Sequence, residues 1–269
     1  MADSSFLKSP AKKRGEPMFD SCPEHGQFES WLVEQFEGGW KANTCQQCQW
    51  QALNWRHVAE ATRGVAREAK RAEVVNQRLI ASGITPRFRT CNFDNFRTEG
   101  DTAKRAALEF CHRYAMEFEA VMREGRSLLL LGNLGTGKTH LASAIVQSVV
   151  REYSATAIFT TASEIARAVK ATFLKSSKVS ERDVLDELAS VDLLVIDEVG
   201  VQVSTGDFGP GLLHEVIDRR YQQMRPTIVI SNVTVKELPL FMGDRALDRI
   251  RQGSSRLVRF TWGSARGEA

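Results

Sequence analysis

Gly132-Asn133-Leu134-Gly135-Thr136-Gly137-Lys138-Thr139 fits the pattern G-x-x-x-x-G-K-[ST], and its surroundings decide the fold. The apolar run Ser127–Leu131 leads into it, and a helical pattern, His140–Glu152, leads out. Glycines in such a loop let the chain turn tightly, so that several backbone N–H groups face one concavity suited to phosphate oxygens. A helix beginning at that point adds the positive end of its dipole. In this setting Lys138 reaches the β- and γ-phosphates of ATP, and the Thr139 hydroxyl is a Mg²⁺ ligand. Gly132, Asn133, Leu134, Gly135, Thr136, Gly137 and His140 complete the candidate ATP-contacting set.

Working outward, short apolar runs alternate with helical stretches. The strand candidates are Ser127–Leu131, Ala157–Thr160, Leu193–Ile196 and Thr227–Ser231, with Arg256–Trp262 as a possible final strand. Near-continuous apolar runs of this length suit strands buried on both faces. Helical patterns intervene at His140–Glu152, Ser163–Leu174, Glu181–Ser190 and Gly211–Gln223. The alternation predicts an α/β domain with a parallel sheet covered by helices on both sides. Asp197-Glu198 ends the third run, about 60 residues after the phosphate loop. Ligands of open α/β sheets bind at that end of a strand. Asp197 is therefore the second Mg²⁺ ligand, and Glu198 orients and polarises the attacking water. Asn232 ends the next run, placed to contact the γ-phosphate or that water, or merely to satisfy a turn. In the short helix that follows, Arg245 and Arg249 are four apart and share a face. That face suits phosphate charge, in cis or across a subunit boundary, although Asp248 is an alternative partner.

The 269 residues allow one large and one small domain. No stretch is apolar enough for a membrane span or a signal peptide, so the cytoplasm is the expected compartment. A net charge of +3 does not by itself imply nucleic acid, but six arginines and one acid lie between Arg245 and Arg266. A solvated basic tail and an anion-binding segment both fit that run. Five cysteines, an odd number, argue against a disulfide framework. Three of them sit early, as Cys22-x₂-His25 and Cys45-x₂-Cys48 with 19 residues between the pairs. Two knuckles with four soft ligands suit tetrahedral Zn²⁺ in a closed, structural site. Cys91 and Cys111 fall outside this pattern. From Ala52 to Ile80 a long helix is expected, with Val58, Ala61, Val65, Ala69, Ala72, Val75 and Leu79 on one face and Gly83 as a left-handed cap. Its shallow, alanine-rich stripe suits close packing, within the chain or against a partner. A further helix is expected from Thr102 to about Arg123.

These residues carry a resemblance. From about Asn76 to Trp262 the chain resembles the DnaC-type helicase loaders, AAA+ ATPases related to the initiator DnaA and the transposition helper IstB. The matching stretches are Ser82–Ile84, Cys91–Phe96, the phosphate loop through Ala142, Val191–Gln202, Val216–Arg220, Arg225–Thr227 and Asp244–Arg249. The resemblance implies sensor 1 at Asn232, an arginine finger at Arg245 reaching a neighbouring subunit's ATP, and sensor 2 at Arg249. It implies an extra helix lining a single-stranded DNA path, matched here by Ser163–Phe173, with Lys170 and Phe173 as contacts. Lysine offers charge to phosphate and phenylalanine can stack on a base; a core position is the competing reading of Phe173. Only about 20 residues follow Arg249, too few for the helical lid of most AAA+ proteins.

The implied activity is ATP-dependent loading of a hexameric, DnaB-like replicative helicase onto single-stranded DNA, with self-association through the ATPase domain. The zinc module departs from the DnaC pattern. By position, it and the long helix are the candidate grip on the helicase, DNA being the alternative, and the fusion points to a phage or mobile-element version. The expected organisation is a flexible tail (1–20), a zinc module (21–50), a helix (51–82), a linker (83–100), the ATPase domain (101–262) and a second tail (263–269). An IstB-like helper acting on double-stranded DNA shares the same core, and the Asn92–Phe96 segment favours the loader. A metabolic kinase would need an acceptor site and a lid, and the sequence offers neither.

Overall fold

The chain divides into two compact units, residues 1–71 and 72–269. The computed structural model describes residues 13–34, 39–174, 176–201, 208–252 and 256–265.

In the first unit, β1 (Lys13–Cys22), β2 (Gly26–Glu34) and β3 (Trp40–Ala42) form an antiparallel sheet in that order. Of the expected tail, residues 1–12 lie outside the described residues, and residues 13–20 are strand. Backbone pairing with β2, such as Phe19 opposite Glu29, holds it, and a polar sequence without alternation gives little sign of that. Helix α1 (Gln46–Ala81) starts ahead of the expected position at Ala52 and takes in Cys48. It continues into the second unit, where Val75 and Leu79 pack on the core. Along the rest of the stripe Val65, Ala69 and Ala72 are exposed, while the side chains of Val58 and Ala61 lie outside the described residues.

In the second unit residues 83–100 are folded against the domain rather than forming a linker. A 3-10 turn, Pro86–Phe88, opens them, and Phe88, Phe93 and Phe96 pack on the core. Aromatic area of that size is not left in water without cost. The expected helix 102–123 is two: α2 (Thr102–Met116) and α3 (Phe118–Glu124), broken at Glu117. There follow β4 (Leu128–Gly132), α4 (Lys138–Tyr153), β5 (Ala157–Thr161), α5 (Ala162–Thr172), α6 (Glu181–Ser190) and β6 (Leu193–Val199). Next come α7 (Phe208–Gln222), β7 (Thr227–Ser231), α8 (Pro239–Met242), α9 (Asp244–Arg251) and β8 (Arg256–Phe260). The five strands form one sheet in the order β5-β6-β7-β4-β8, every pair parallel.

Alternation along these strands builds two cores. Leu128, Leu130, Leu193, Val195, Ile228 and Ile230 face α2, α3 and α4. Leu129, Leu131, Leu194, Ile196 and Val229 face α5 through α9. Each fully buried side chain of this kind contributes about 1.5–3 kcal/mol. The second core also encloses Arg220, which is 0% exposed. Its guanidinium donates to the carbonyls of Leu188, Ala189, Val191 and Pro226 and to the Thr227 hydroxyl, at 2.7–3.2 Å. It thereby satisfies carbonyls at the end of α6 and ties them to the start of β7. Among the described residues no helix follows α9, and none is long and apolar enough to cross a membrane.

Candidate functional site

The loop between β4 and α4 lies at the C-terminal edge of the sheet. Gly137, left-handed at φ +93°, passes directly into α4, whose first N–H groups therefore point back at the loop. A Cβ there would sit 2.6 Å from the ring of Phe96, and one at Gly132 would sit 2.2 Å from the Phe260 carbonyl oxygen. Only glycine fits either place. The Lys138 ammonium donates to the carbonyls of Gly132 and Asn133 at 2.7 and 2.6 Å, so it lies curled over the loop. The Thr136 hydroxyl donates to the Asn133 carbonyl at 2.8 Å, and the Trp262 indole to the Thr136 carbonyl at 2.9 Å.

The sheet order places β7 between β4 and β6, so three strand ends converge here. From β6 comes Asp197, buried, whose carboxylate accepts from the Thr139 hydroxyl at 2.9 Å and from the Glu198 N–H at 2.6 Å. Burial pushes its carboxyl above the usual carboxylate range, against the pull of those two donors. Register with β7 slips between Ile196 and Val199, and Glu198 is left-handed at φ +58°. A bulge with a strained non-glycine residue re-aims a side chain, and here it turns Glu198 out of the buried strand to an exposed position. β7 supplies Asn232, exposed, at the same edge.

These residues border one cleft of about 250 Å³, walled by Leu134 through His140, Asp197, Glu198 and Asn232. Nearly the whole candidate ATP and Mg²⁺ set is thus assembled. Gly132 and Asn133 do not border the cleft; their carbonyls accept from Lys138. His140 lines the cleft, but its Nε2 lies 2.9 Å from the Asn92 carbonyl and its ring stands edge-on to Phe96. Arg87 and Phe88 also border the cleft. Sequence reasoning missed them because their segment has no periodicity of its own, and the only signal was the Cys91–Phe96 match beside it.

Arg245 and Arg249 do not border the cleft. Arg245 is exposed on α9 and forms no ion pair among the described residues. Arg249 pairs with Asp218 at 2.5 Å and lies over the Tyr221 ring at 4.7 Å, both on α7, rather than with Asp248. Lys170 is exposed on α5, and Phe173, at its C-cap, is 61% exposed and so is not a core residue.

In the first unit the four candidate zinc ligands meet. Their donor atoms lie within 4.8 Å of one another. Cys22 Sγ is 3.5 Å from Cys48 Sγ, and His25 Nδ1 is 3.6, 3.7 and 3.3 Å from the sulfurs of Cys22, Cys45 and Cys48. A tetrahedral Zn²⁺ with bonds of about 2.0–2.3 Å needs ligand atoms roughly 3.4–3.8 Å apart, so the donor set fits that ion. The turn after β1 brings Cys22 and His25 together, while Cys45 and Cys48 flank the start of α1. The Glu24 N–H, then His25, pull the Cys22 thiol down to about 6; contact with Cys22, then burial, push Cys48 up to about 12. On its far side, His25 Nε2 faces the side-chain amide of Gln51 at 3.3 Å, an outer partner that would fix the ring.

Comparison with known proteins places this geometry. The family model described as IstB-like ATP binding protein matches residues 88–255. The replicative helicase loader DnaC of Escherichia coli K12 is 36% identical over 215 residues, 80% of this chain and 85% of that protein. The DnaC of Buchnera aphidicola from Acyrthosiphon pisum is 34% identical over 216 residues, with the same coverage of 80% and 85%. Among solved structures, that of the DnaC helicase loader superposes with a TM-score of 0.57 at 20% identity, covering 65% of this chain and 99% of that one. At this identity the likeness speaks for the fold.

Proposed function

The chain belongs to the IstB/DnaC-like family of ATP-binding proteins, and on that premise we propose that it is an ATP-driven loader that places a hexameric replicative helicase on single-stranded DNA. One observation carries this reading beyond ATP binding. The similarity to the Escherichia coli loader covers more residues than lie between position 88 and the C-terminus, so it runs past the ATPase match into the N-terminal region. An IstB-like transposition helper would need to share only the ATPase core.

Within the cleft, the loop N–H groups and the α4 N-terminus bind the phosphates, and Lys138 leaves its carbonyl partners for the β- and γ-phosphates. Thr139 and Asp197 would hold Mg²⁺, which when bound neutralises phosphate charge. Glu198 positions the attacking water, and Asn232, between the two strands, contacts that water or the γ-phosphate. Arg245, exposed on α9, serves a neighbouring subunit's site, which makes turnover depend on self-association. Arg249, tied to Asp218 and Tyr221, acts from α9 as a positioning residue that aims Arg245. The exposed Lys170 and Phe173 take the single strand by charge and stacking. Zn²⁺ on Cys22, His25, Cys45 and Cys48 orders the N-terminal module. That module and the exposed stretch of α1 grip the helicase. These partners place the protein in the cytoplasm.

The test is a pull-down of the host replicative helicase with the full-length protein, with and without ATP. Capture of the hexamer, altered by ATP in the wild type and indifferent to it in Lys138→Ala, is the expected outcome. Failure to retain any helicase in either state would sink the reading.

A further inference from the structure

Arg256 belongs to the arginine-rich run but lies beyond Arg245 and Arg249 along the chain. Arg256 opens β8 and lies beside Leu128 of β4, at the N-terminal edge of the sheet, the edge opposite the phosphate loop. A cavity of about 280 Å³ opens there, walled by Phe110, Arg113, Tyr114, Glu117, Arg126 and Arg256. Three guanidinium groups and one carboxylate share that space. Arg126 is the fixed member. It lies 3.6 Å from Glu117 and 3.1 Å from Glu124, and its carbonyl accepts from the Tyr114 hydroxyl at 2.7 Å. Arg113 and Arg256 are exposed and form no ion pair among the described residues.

We propose that this pocket binds phosphate groups of a nucleic-acid strand, as a second contact separate from α5. Guanidinium forks match phosphate oxygens in pairs, and beside Arg126, which Glu117 and Glu124 already neutralise, Arg113 and Arg256 leave positive charge for an anion to meet. The walls supply more than charge. Half-buried Phe110 gives the cavity aromatic surface, which a base or sugar can cover and a bare ion cannot. The pocket also gives Arg256, one member of the C-terminal arginine run, a definite role.

The test uses the full-length protein and the double variant Arg113→Ala/Arg256→Ala, with Arg126 left in place because it is tied into the fold. Affinity for a fluorescent oligothymidylate is measured by anisotropy across a salt series. Each lost phosphate contact to a single strand should flatten the plot of log affinity against log salt by ~0.7, so the double variant should lose ~1.4 in slope. Affinity at low salt should fall about tenfold or more, with the thermal unfolding midpoint unchanged because both side chains are exposed. An unchanged slope in a protein that still binds DNA would overturn the pocket and leave the α5 reading standing. That reading is tested apart by Lys170→Ala/Phe173→Ala. Stabilisation by inorganic phosphate, lost in the double variant while its DNA slope stays wild-type, would make this a small-anion site and overturn the nucleic-acid assignment.

Discussion

Asp197 and Glu198 are neighbours with opposite surroundings. Asp197 is buried, and burial raises its carboxyl above the ordinary range although Thr139 and the Glu198 N–H donate to it. A raised carboxyl pKa means that the folded chain holds that proton more tightly than the unfolded chain. The ionised form therefore costs stability above the folded pKa, and the cost fades as pH falls below the ordinary aspartate value. Asp197→Asn should leave the nucleotide-free protein at least as stable as wild type at neutral pH in urea unfolding, any gain vanishing in acid. Its Mg²⁺-dependent turnover should be lost. Glu198, by contrast, is exposed. Glu198→Gln should keep ATP affinity and slow steady-state hydrolysis by about 10²–10⁴-fold, the usual worth of a positioned proton acceptor. A marked loss of stability in Asp197→Asn at neutral pH, or full turnover in Glu198→Gln, would contradict these assignments. Both residues were legible because a strand's apolar run fixes where its last polar residues emerge. Arg87 and Phe88 were not, since tertiary packing alone brings their turn to the cleft. Nor was the Asp218–Arg249 pair, whose members lie on two helices with no sequence relation.

The Cys/His pairs illustrate the same division among elements. Ligand spacing could be read because each pair must turn back within a few residues. The strands carrying the pairs could not, because β1 is held by backbone pairing and its polar sequence carries no period. The described residues among 13–50 contribute few buried side chains, Cys22, Ser30 and Cys45. Order in this segment should therefore depend on metal, since binding a structural zinc supplies roughly 10–16 kcal/mol to such modules. Protein purified without chelators should contain one Zn²⁺ per chain by elemental analysis. Cys45→Ser should lose the metal and the helicase grip while ATP affinity stays near wild type, because the ATPase unit has its own two cores. A zinc-free wild-type protein would reject the site. Zinc present, with helicase capture unaffected by Cys45→Ser, would move the grip to the exposed stretch of α1.

At the scale of the whole molecule, alternation of apolar runs and helices made the parallel sheet legible, and the phosphate loop marked its working edge. The strand order with β7 in the middle was not legible, since crossover topology leaves no trace in local periodicity. The same limit applies to assembly. Arg245 lies outside its own cleft, so any role it has in hydrolysis would be exercised on a second subunit. Arg245→Ala and Lys138→Ala should each lack ATPase activity, and a mixture should regain part of it, because some interfaces then pair an intact loop with an intact finger. No recovery at any ratio would assign Arg245 to a role within its own chain. If nucleotide state at this cleft governs delivery of a helicase to DNA, the number of helicase hexamers left on circular single-stranded DNA after incubation with the protein and ATP should depend on it. The expected result is deposition well above the helicase alone, reduced to that background by Lys138→Ala. Equal deposition by wild type and Lys138→Ala, or none by either, would contradict it.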